Sequence, residues 1–200
     1  MSSSLQGVRV AFVVANEGIE QVELLAPWRA VLDAGGRPEL IAPKPGLAGT
    51  MRHLDRGDRF PVDLSTAQAR PEDFDAVVLP GGVANPALLR QDTPAVNFLI
   101  AMVGAGKPVA AICHGPCTLI EGGLVAGRTV TSSPSLQTDL RNAGAIWVDE
   151  ALRICRDGET DGDGVGDGVM ITGRRKEDLP AFCRAITSVF AETRMTVATT

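Results

Sequence analysis

The sequence has no tyrosine and only two histidines, His53 and His114. Because a zinc-type site usually draws on several His and Cys ligands, a histidine-based metal site would be hard to assemble here. We therefore expect no metal ion.

Cysteine is also scarce, with four residues in a chain of 200. They are irregularly spaced, at Cys113, Cys117, Cys155 and Cys183. This spacing is typical of reduced thiols in the cytosol and not of a disulfide framework.

The chain has no cluster of Lys and Arg, and its net charge is −5, so a nucleic-acid or anionic-membrane partner is not expected. No apolar run approaches the length of a membrane span, and the N-terminus lacks the basic and apolar regions of a signal peptide. A hydrophobic content of 44% suits one domain with a real core. We expect a cytoplasmic, single-domain protein over residues 1–200, with a core at about 7–193 and a disordered tail at 194–200.

Short apolar runs alternate with segments of helical periodicity. Buried strands are predicted at 8–14, 38–42, 76–79 and 108–112, and a shorter one at 129–131. Helices are predicted at 20–34, 93–105, 115–121, 135–143 and 177–193. The fold class is therefore α/β, with an open, mostly parallel sheet and helices on both faces.

Two segments depart from this alternation. Residues 43–61 are rich in Gly, Pro and charge, and predict a loop or an irregular hairpin. Strands at 151–155 and 169–172 predict a small C-terminal β-hairpin. The Asp- and Gly-rich segment between them, 157–168, lacks the spacing of a calcium loop and is interpreted as a flexible connection.

Ligands of such sheets bind beyond the carboxyl ends of the strands, where Cys113 follows the strand at 108–112. With only Gly115 and Pro116 to make the turn into a helix, the thiol is predicted to stand on a sharp strand-to-helix elbow. The N–H groups and partial positive charge of the helix N-terminus would favour a thiolate, the reactive form. The alternative is a structural cysteine, since free cysteines are often simply buried.

Gly81 and Gly82 end another buried strand and allow the backbone to approach a ligand closely. The N–H groups of Gly82 and His114 are candidate oxyanion donors. A plain turn is the competing interpretation.

Three acids, Glu17, Glu20 and Glu23, lie where the first strand passes into its helix. They could simply complement the helix dipole. Alternatively, Glu23 points inward and contacts Cys113, where a desolvated carboxyl with a raised pKa could donate a hydrogen bond to the thiolate.

Together these residues resemble the PfpI branch of the DJ-1/PfpI superfamily, close to a bacterial general stress protein. The matching pieces span nearly the whole chain: Ala-Asn-Glu at 15–17, Glu-Gln-Val-Glu-Leu at 20–24, Leu-Pro-Gly-Gly at 79–82, Ala-Ile-Cys-His-Gly-Pro at 111–116, and further segments at 139–149 and 175–182. The resemblance implies a flavodoxin-like fold, shared with class I glutamine amidotransferases, and a homodimer or larger homo-oligomer. It implies that Cys113 is the reactive cysteine, Glu23 its hydrogen-bonding acid and His114 the neighbouring histidine.

The resemblance implies several reactions, because members of the superfamily are described as glyoxalases, deglycases and intracellular peptidases. The first two act without cofactor on reactive carbonyls and open with thiolate attack to give a hemithioacetal. A peptidase needs an acyl-enzyme and a well-oriented base. The substrate is thus a small carbonyl compound or a peptide, and a non-enzymatic redox sensor or holdase is the alternative of another class.

Three departures from the family pattern bear on this choice. Residues 83–87 contain no carboxylate where the peptidases place an acid for the histidine. Ser133 stands where many relatives have a tyrosine, and Cys117 where close relatives often have a tryptophan. These changes favour carbonyl chemistry over peptide hydrolysis and predict a wider, less aromatic pocket.

Two residues keep open roles. His53 is either a loop residue that fixes the backbone or a pocket residue. Cys117 is either a small core residue or a resolving thiol for an oxidised Cys113. A glutamine amidotransferase is not expected, because no histidine follows position 114 to complete its His-x-Glu pair.

Overall fold

The protein is described by a computed structural model over residues 4–156 and 168–197. Most of the predicted connection at 157–168 and the last residues of the predicted tail lie outside these ranges. The strands are β1 Arg9–Val13, β2 Ile19–Glu20, β3 Arg37–Ala42, β4 Leu47–Arg52, β5 Asp55–Pro61, β6 Leu64–Ser65, β7 Ala76–Leu79, β8 Val109–Ile112, β9 Thr129–Val130, β10 Ile146–Trp147, β11 Leu152–Cys155 and β12 Met170–Gly173.

The helices are α1 Gln21–Asp33, α2 Ala84–Leu89, α3 Thr93–Gly104, α4 Pro116–Glu121, α5 Gln137–Asn142 and α6 Leu179–Val197. Short 3-10 turns cover Pro71–Asp73, Pro134–Leu136 and Lys176–Asp178.

The central sheet has seven strands in the order β11-β12-β8-β7-β1-β3-β6. All neighbours pair in parallel except β11 and β12, which form the predicted antiparallel hairpin. The flavodoxin-like α/β fold predicted from the sequence is confirmed. Because the carboxyl ends of β1, β7 and β8 lie side by side, the segments that follow them meet at one edge of the sheet.

The core occupies both faces of this sheet. Alternate residues of β1 point to opposite faces, as the period of a strand requires. One face packs against α3, α4 and α5, and the other against α1 and α6. The predicted apolar stripe of the last helix is buried on the second face: Leu179, Phe182, Ile186, Val189 and Phe190. Burial on both faces explains why the strand sequences are continuous apolar runs.

Segment 43–61 forms the irregular hairpin that was one of its two predicted forms, a bulged antiparallel pair of β4 with β5, and β2 pairs with β4 to give a second, three-stranded sheet that was not predicted. Two helices also differ from the sequence-based prediction. Helix α2 was not predicted, because its six residues include a proline and carry no helical periodicity of their own. Helix α6 continues to Val197, so the part of the predicted disordered tail that the structure describes is helical. Within the described ranges, no helix is both long and apolar enough to cross a membrane.

Candidate active site

Cys113 stands on the turn between β8 and α4 with a positive φ of 60°. This left-handed conformation is uncommon for a residue with a side chain and needs support from its surroundings. Two backbone hydrogen bonds provide it: the Cys113 N–H donates to the Gly173 carbonyl at 2.9 Å, and the Ser133 N–H donates to the Cys113 carbonyl at 2.9 Å. The sharp elbow predicted from the sequence is present, and these two hydrogen bonds keep the strained residue at the carboxyl end of β8.

Glu23 reaches this thiol from the first turn of α1. Its side chain is only 1% exposed, and its Oε2 accepts a hydrogen bond from the Gly81 N–H at 3.0 Å. A Cβ at Gly81 would collide with that oxygen and lie 2.8 Å from the Cys113 Cβ. Glycine at this strand end therefore lets the carboxyl and the thiol hydrogen-bond to each other.

Burial controls the protonation of this pair. Desolvation raises the pKa of the Glu23 carboxyl to about 8, so the group is neutral near pH 7. Desolvation, followed by the negative charge of an ionised Glu23, raises the pKa of the Cys113 thiol to about 12. Burial therefore opposes the resting thiolate that the sequence predicts, whereas a neutral Glu23 exerts no charge repulsion on it.

Two backbone N–H groups nevertheless point at the sulfur. Hydrogen bonds from His114 and Gly82 both lower the pKa of Cys113, as they would for any negative charge developing there. Gly82 has a φ of +96°, and a Cβ at this position would collide with the backbone of residues 18–20. The predicted pair of N–H donors thus surrounds the sulfur, although its role in a reaction remains a proposal.

The His114 side chain bridges the thiol and a serine. Its Nδ1 lies 3.2 Å from the Cys113 Sγ, and its Nε2 lies 2.8 Å from the Ser135 Oγ. Burial lowers the pKa of the imidazole, which keeps it neutral and able to accept a proton. With Nε2 protonated and bonded to Ser135, Nδ1 presents its lone pair to the thiol.

Ser135 was not identified from the sequence. It lies in the turn after β9, and its Oγ is 2.9 Å from the Oγ of Ser133, a predicted pocket residue. The only signal was the serine-rich stretch 132–135, in which no periodicity distinguishes one hydroxyl from another. Cys113, His114, Ser135 and Ser133 form a continuous chain of polar contacts.

Asn85, in the stretch 83–87 that contains no carboxylate, has a structural role. The side chain is fully buried, and its Nδ2 donates to the carbonyls of Pro80 and Gly81 at 2.9 and 3.0 Å. Its Oδ1 accepts from the Ala15 N–H. Asn85 thus joins the ends of β1 and β7, and His114 has a serine as its second partner.

A cavity of about 410 Å³ opens above the thiol. Among the predicted residues it is lined by Glu20, Glu23, His53, Gly82, Cys113 and His114. Arg175, Lys176 and Glu177 also line it and were not predicted as site residues; they come from the turn before α6. Met51 and Leu54 come from the β4–β5 hairpin, which forms one wall.

The other four predicted residues do not line this cavity. Gly81 hydrogen-bonds to Glu23, which lines it, and Ser133 hydrogen-bonds to Ser135, the partner of His114. Glu17 is instead paired on the surface with Arg59 at 3.1 Å. The Cys117 Sγ accepts a hydrogen bond from Arg90 at 3.2 Å, so this thiol already has a partner other than Cys113.

Metal ligands are not gathered at this site. Over residues 4–156 and 168–197, no group of three or more His, Cys, Asp and Glu side chains is arranged to hold an ion.

These features define the class of protein: a flavodoxin-like α/β protein with a cysteine on the elbow at the carboxyl edge of its sheet. Residues 8–189 match the model of the DJ-1/PfpI family, and the chain belongs to this family. It is 38% identical to the deglycase PH1704 of Pyrococcus horikoshii over 177 residues, which cover 88% of this chain and 96% of the relative. The deglycase PfpI of Pyrococcus furiosus is 36% identical, with the same coverage.

Solved structures support the same assignment. The two-domain protein of Anabaena variabilis, with DJ-1/ThiJ/PfpI-like and ferritin-like domains, matches with a TM-score of 0.78 and 32% identity, over 90% of this chain and 47% of the other. DJ-1beta of Drosophila melanogaster matches with a TM-score of 0.77 and 25% identity, over 96% of both chains.

Proposed function

We propose that this protein is a cofactor-free deglycase, which removes a dicarbonyl such as methylglyoxal from an amine or thiol and releases it as a hydroxy acid. The observation that carries the proposal is the contact of the Cys113 Sγ with a neutral base at 3.2 Å on one side and a buried acid on the other. Relatives that share the family and are named deglycases support this choice.

The first step transfers the carbonyl compound to the enzyme. His114 Nδ1 takes the thiol proton as the Cys113 sulfur bonds to the former aldehyde carbon. The carbon–nitrogen bond of the adduct breaks, and the proton on His114 passes to the departing amine. The product is a hemithioacetal on Cys113.

The next steps form the acid. A hydrogen shifts from the hemithioacetal carbon to the neighbouring ketone carbon, and the hydroxyl proton of the first carbon passes to the ketone oxygen, which oxidises the first carbon and reduces the second. No outside oxidant or reductant is needed, because the change is internal. Water then cleaves the resulting lactate thioester and frees the thiol, so adduct plus water gives amine plus lactate.

Glu23 and the backbone donors supply the electrostatics of this scheme. A buried thiol with a raised pKa is a poor nucleophile unless its negative charge is stabilised as it forms. The protonated Glu23 donates a hydrogen bond to the sulfur, and the N–H groups of Gly82 and His114 stabilise negative charge on the same atom. A neutral Glu23 also removes the repulsion that an ionised carboxylate would exert.

Peptide hydrolysis is the less favoured alternative. The amide bond that it breaks is stabilised by resonance, and the usual triad orients the histidine with a carboxylate. Here His114 Nε2 contacts the Ser135 hydroxyl, which orients the ring but offers no negative charge to an imidazolium. The site therefore fits attack on an activated carbonyl better than attack on an amide.

The family resemblance also leads us to propose a homodimer or larger assembly, acting in the cytoplasm under carbonyl stress. Two large apolar side chains support self-association, because Leu54 and Val83 lie at the cavity mouth with 81% and 75% exposure.

The reaction is tested with the methylglyoxal adduct of Nα-acetyllysine. Free amine and lactate are followed together by proton nuclear magnetic resonance, with and without an excess of a dicarbonyl trap. We expect equal amounts of amine and lactate, formed faster than amine is released spontaneously when the trap is present without enzyme.

The other functions give different results. If lactate forms from free methylglyoxal but amine release does not exceed the spontaneous rate measured with the trap, the protein is a glyoxalase and not a deglycase. Cleavage of casein or a peptide amide would support the peptidase. If none of these reactions occurs and mild peroxide converts Cys113 to a sulfinate, the redox sensor replaces the enzyme.

A further inference from the structure

A second groove of about 500 Å³ adjoins the cavity above Cys113. The two share Glu20, His53 and Lys176 in their walls, so a ligand that occupies one can extend into the other. The groove runs along the exposed side of α1 towards Arg29 and is not needed for the chemistry at the sulfur.

Positive charge predominates in this groove. Its lining contains three cationic side chains, Arg29, Arg52 and Lys176, and a single carboxylate, that of Glu20. That carboxylate accepts a hydrogen bond from the His53 N–H at 3.2 Å.

The three cations are not equivalent. Arg52 forms an ion pair with Asp58 at 2.9 Å and also donates to Gln21. Arg29 and Lys176 have no ion pair with any residue in the part of the chain that the structure describes. Two cationic groups that line the groove are therefore available for a ligand.

Resting on the proposed function, we infer that this groove binds a negatively charged group on the molecule that carries the carbonyl adduct. The preferred substrates are then adducts of small acids, with the reacting carbon at Cys113 and a carboxylate between Lys176 and Arg29. Arginine and lysine both attract such groups through charge-assisted hydrogen bonds.

The test compares two stable ligands that differ by one charge. S-(2-hydroxypropyl)-N-acetylcysteine is a thioether that imitates the adduct and cannot react, and its carboxamide is the neutral match. Calorimetric titration of the full-length protein should show the acid binding at least tenfold tighter than the amide. The ratio should fall as salt is added, because the groove is open to solvent.

Variants locate the effect. The double substitution Arg29→Gln with Lys176→Gln should bring the acid-to-amide ratio close to one. Arg37→Gln is the control, because Arg37 is an exposed arginine at the amino end of β3, on the opposite edge of the sheet. It should keep both the ratio and the activity of the native protein.

Equal affinity of the native protein for acid and amide would overturn the inference, as would a preference that survives in the double variant. Neither result depends on turnover, because the probes do not react. If both ligands bind as expected while the Nα-acetyllysine adduct is not converted, the proposed reaction fails and the anion site stands. If the adduct is converted and the ligands bind equally, the reaction stands and the anion site fails.

Discussion

At the scale of single residues, the site depends on groups whose pKa values move in opposite directions. Burial makes the Glu23 carboxyl a weaker acid and the His114 imidazole a weaker base. Both are therefore uncharged near neutral pH, one with a proton to donate and the other with a lone pair. This combination matches a site that must ionise a buried thiol only during attack.

Glu23 should make the protein less stable as pH rises. Its pKa is raised from 4.5 to about 8 in the folded state, so between these values the folded chain holds a proton that the unfolded chain has lost. In that window each pH unit lowers the free energy of unfolding by at most about 1.4 kcal/mol. Urea denaturation at pH 5 and pH 8 should show this loss in the native protein and a smaller one in Glu23→Gln. A loss of equal size in both proteins would mean that Glu23 is not the group responsible.

Ser135 is expected to act as a positioning residue for His114. Ser135→Ala should lower kcat by about tenfold, since the ring loses the hydrogen bond that presents Nδ1 to the thiol. The Tm should not change, because Ser135 is exposed. Ser135→Thr should restore activity by restoring the hydroxyl, and Ser188→Ala, on α6, serves as the control. Full activity in Ser135→Ala would show that the ring is oriented by other contacts.

At the scale of elements, the site is assembled by the ends of β1, β7 and β8. Asn85 on α2 joins two of these ends through three hydrogen bonds, and all of its polar atoms are buried. The elbow of Cys113 is joined in turn to β12 through the Gly173 carbonyl. The turn at Gly81 and the elbow at Cys113 are therefore both hydrogen-bonded to neighbouring segments of the sheet.

Asn85→Ala should destabilise the protein by about 2 to 4 kcal/mol, because one backbone N–H and two carbonyls lose their partner in a buried place. It should also reduce activity, since the Gly81 N–H that holds Glu23 belongs to the same turn. Asn142→Ala, at the exposed end of α5, should leave both quantities unchanged. Chemical denaturation of the two variants measures the difference in stability. Equal stabilities would show that Asn85 does not support the site.

Much of this arrangement could be predicted from the sequence, and the reason is periodicity. Buried strands and amphipathic helices carry their own pattern, and the rule for strand ends places Cys113, Gly82 and Glu23 together. Helix α2 and Ser135 could not be found in this way. The helix is too short to show a period, and the hydroxyl is brought to His114 only by the return of the chain after β9.

The raised pKa of Cys113 could not be predicted from the sequence either. The residues around an elbow predict a helix N-terminus nearby, but the balance between that influence and desolvation depends on how deeply the sulfur is buried. In the structure burial raises the pKa of the thiol, and we therefore propose His114, whose Nδ1 lies 3.2 Å from the sulfur, as the base that takes its proton.

At the scale of the whole molecule, the catalytic cavity and the cationic groove lie on the same edge of the sheet. The exposed apolar residues Leu54 and Val83 lie at the cavity mouth. Light scattering should give at least twice the monomer mass, and Leu54→Glu with Val83→Glu should lower it. Leu32→Glu, at the far end of α1, should not. A native protein that is monomeric at micromolar concentration would contradict the proposed assembly.

The central claim is that the thiol of Cys113 performs the reaction, and the most direct test compares two serine substitutions. Cys183 is the control, since it is also a half-buried free cysteine, but it lies within α6 and does not line the cavity. Conversion of the Nα-acetyllysine adduct should fall by at least about a thousandfold in Cys113→Ser and remain near the native rate in Cys183→Ser. A Cys113→Ser protein that still releases amine and lactate within about tenfold of the native rate would contradict the account.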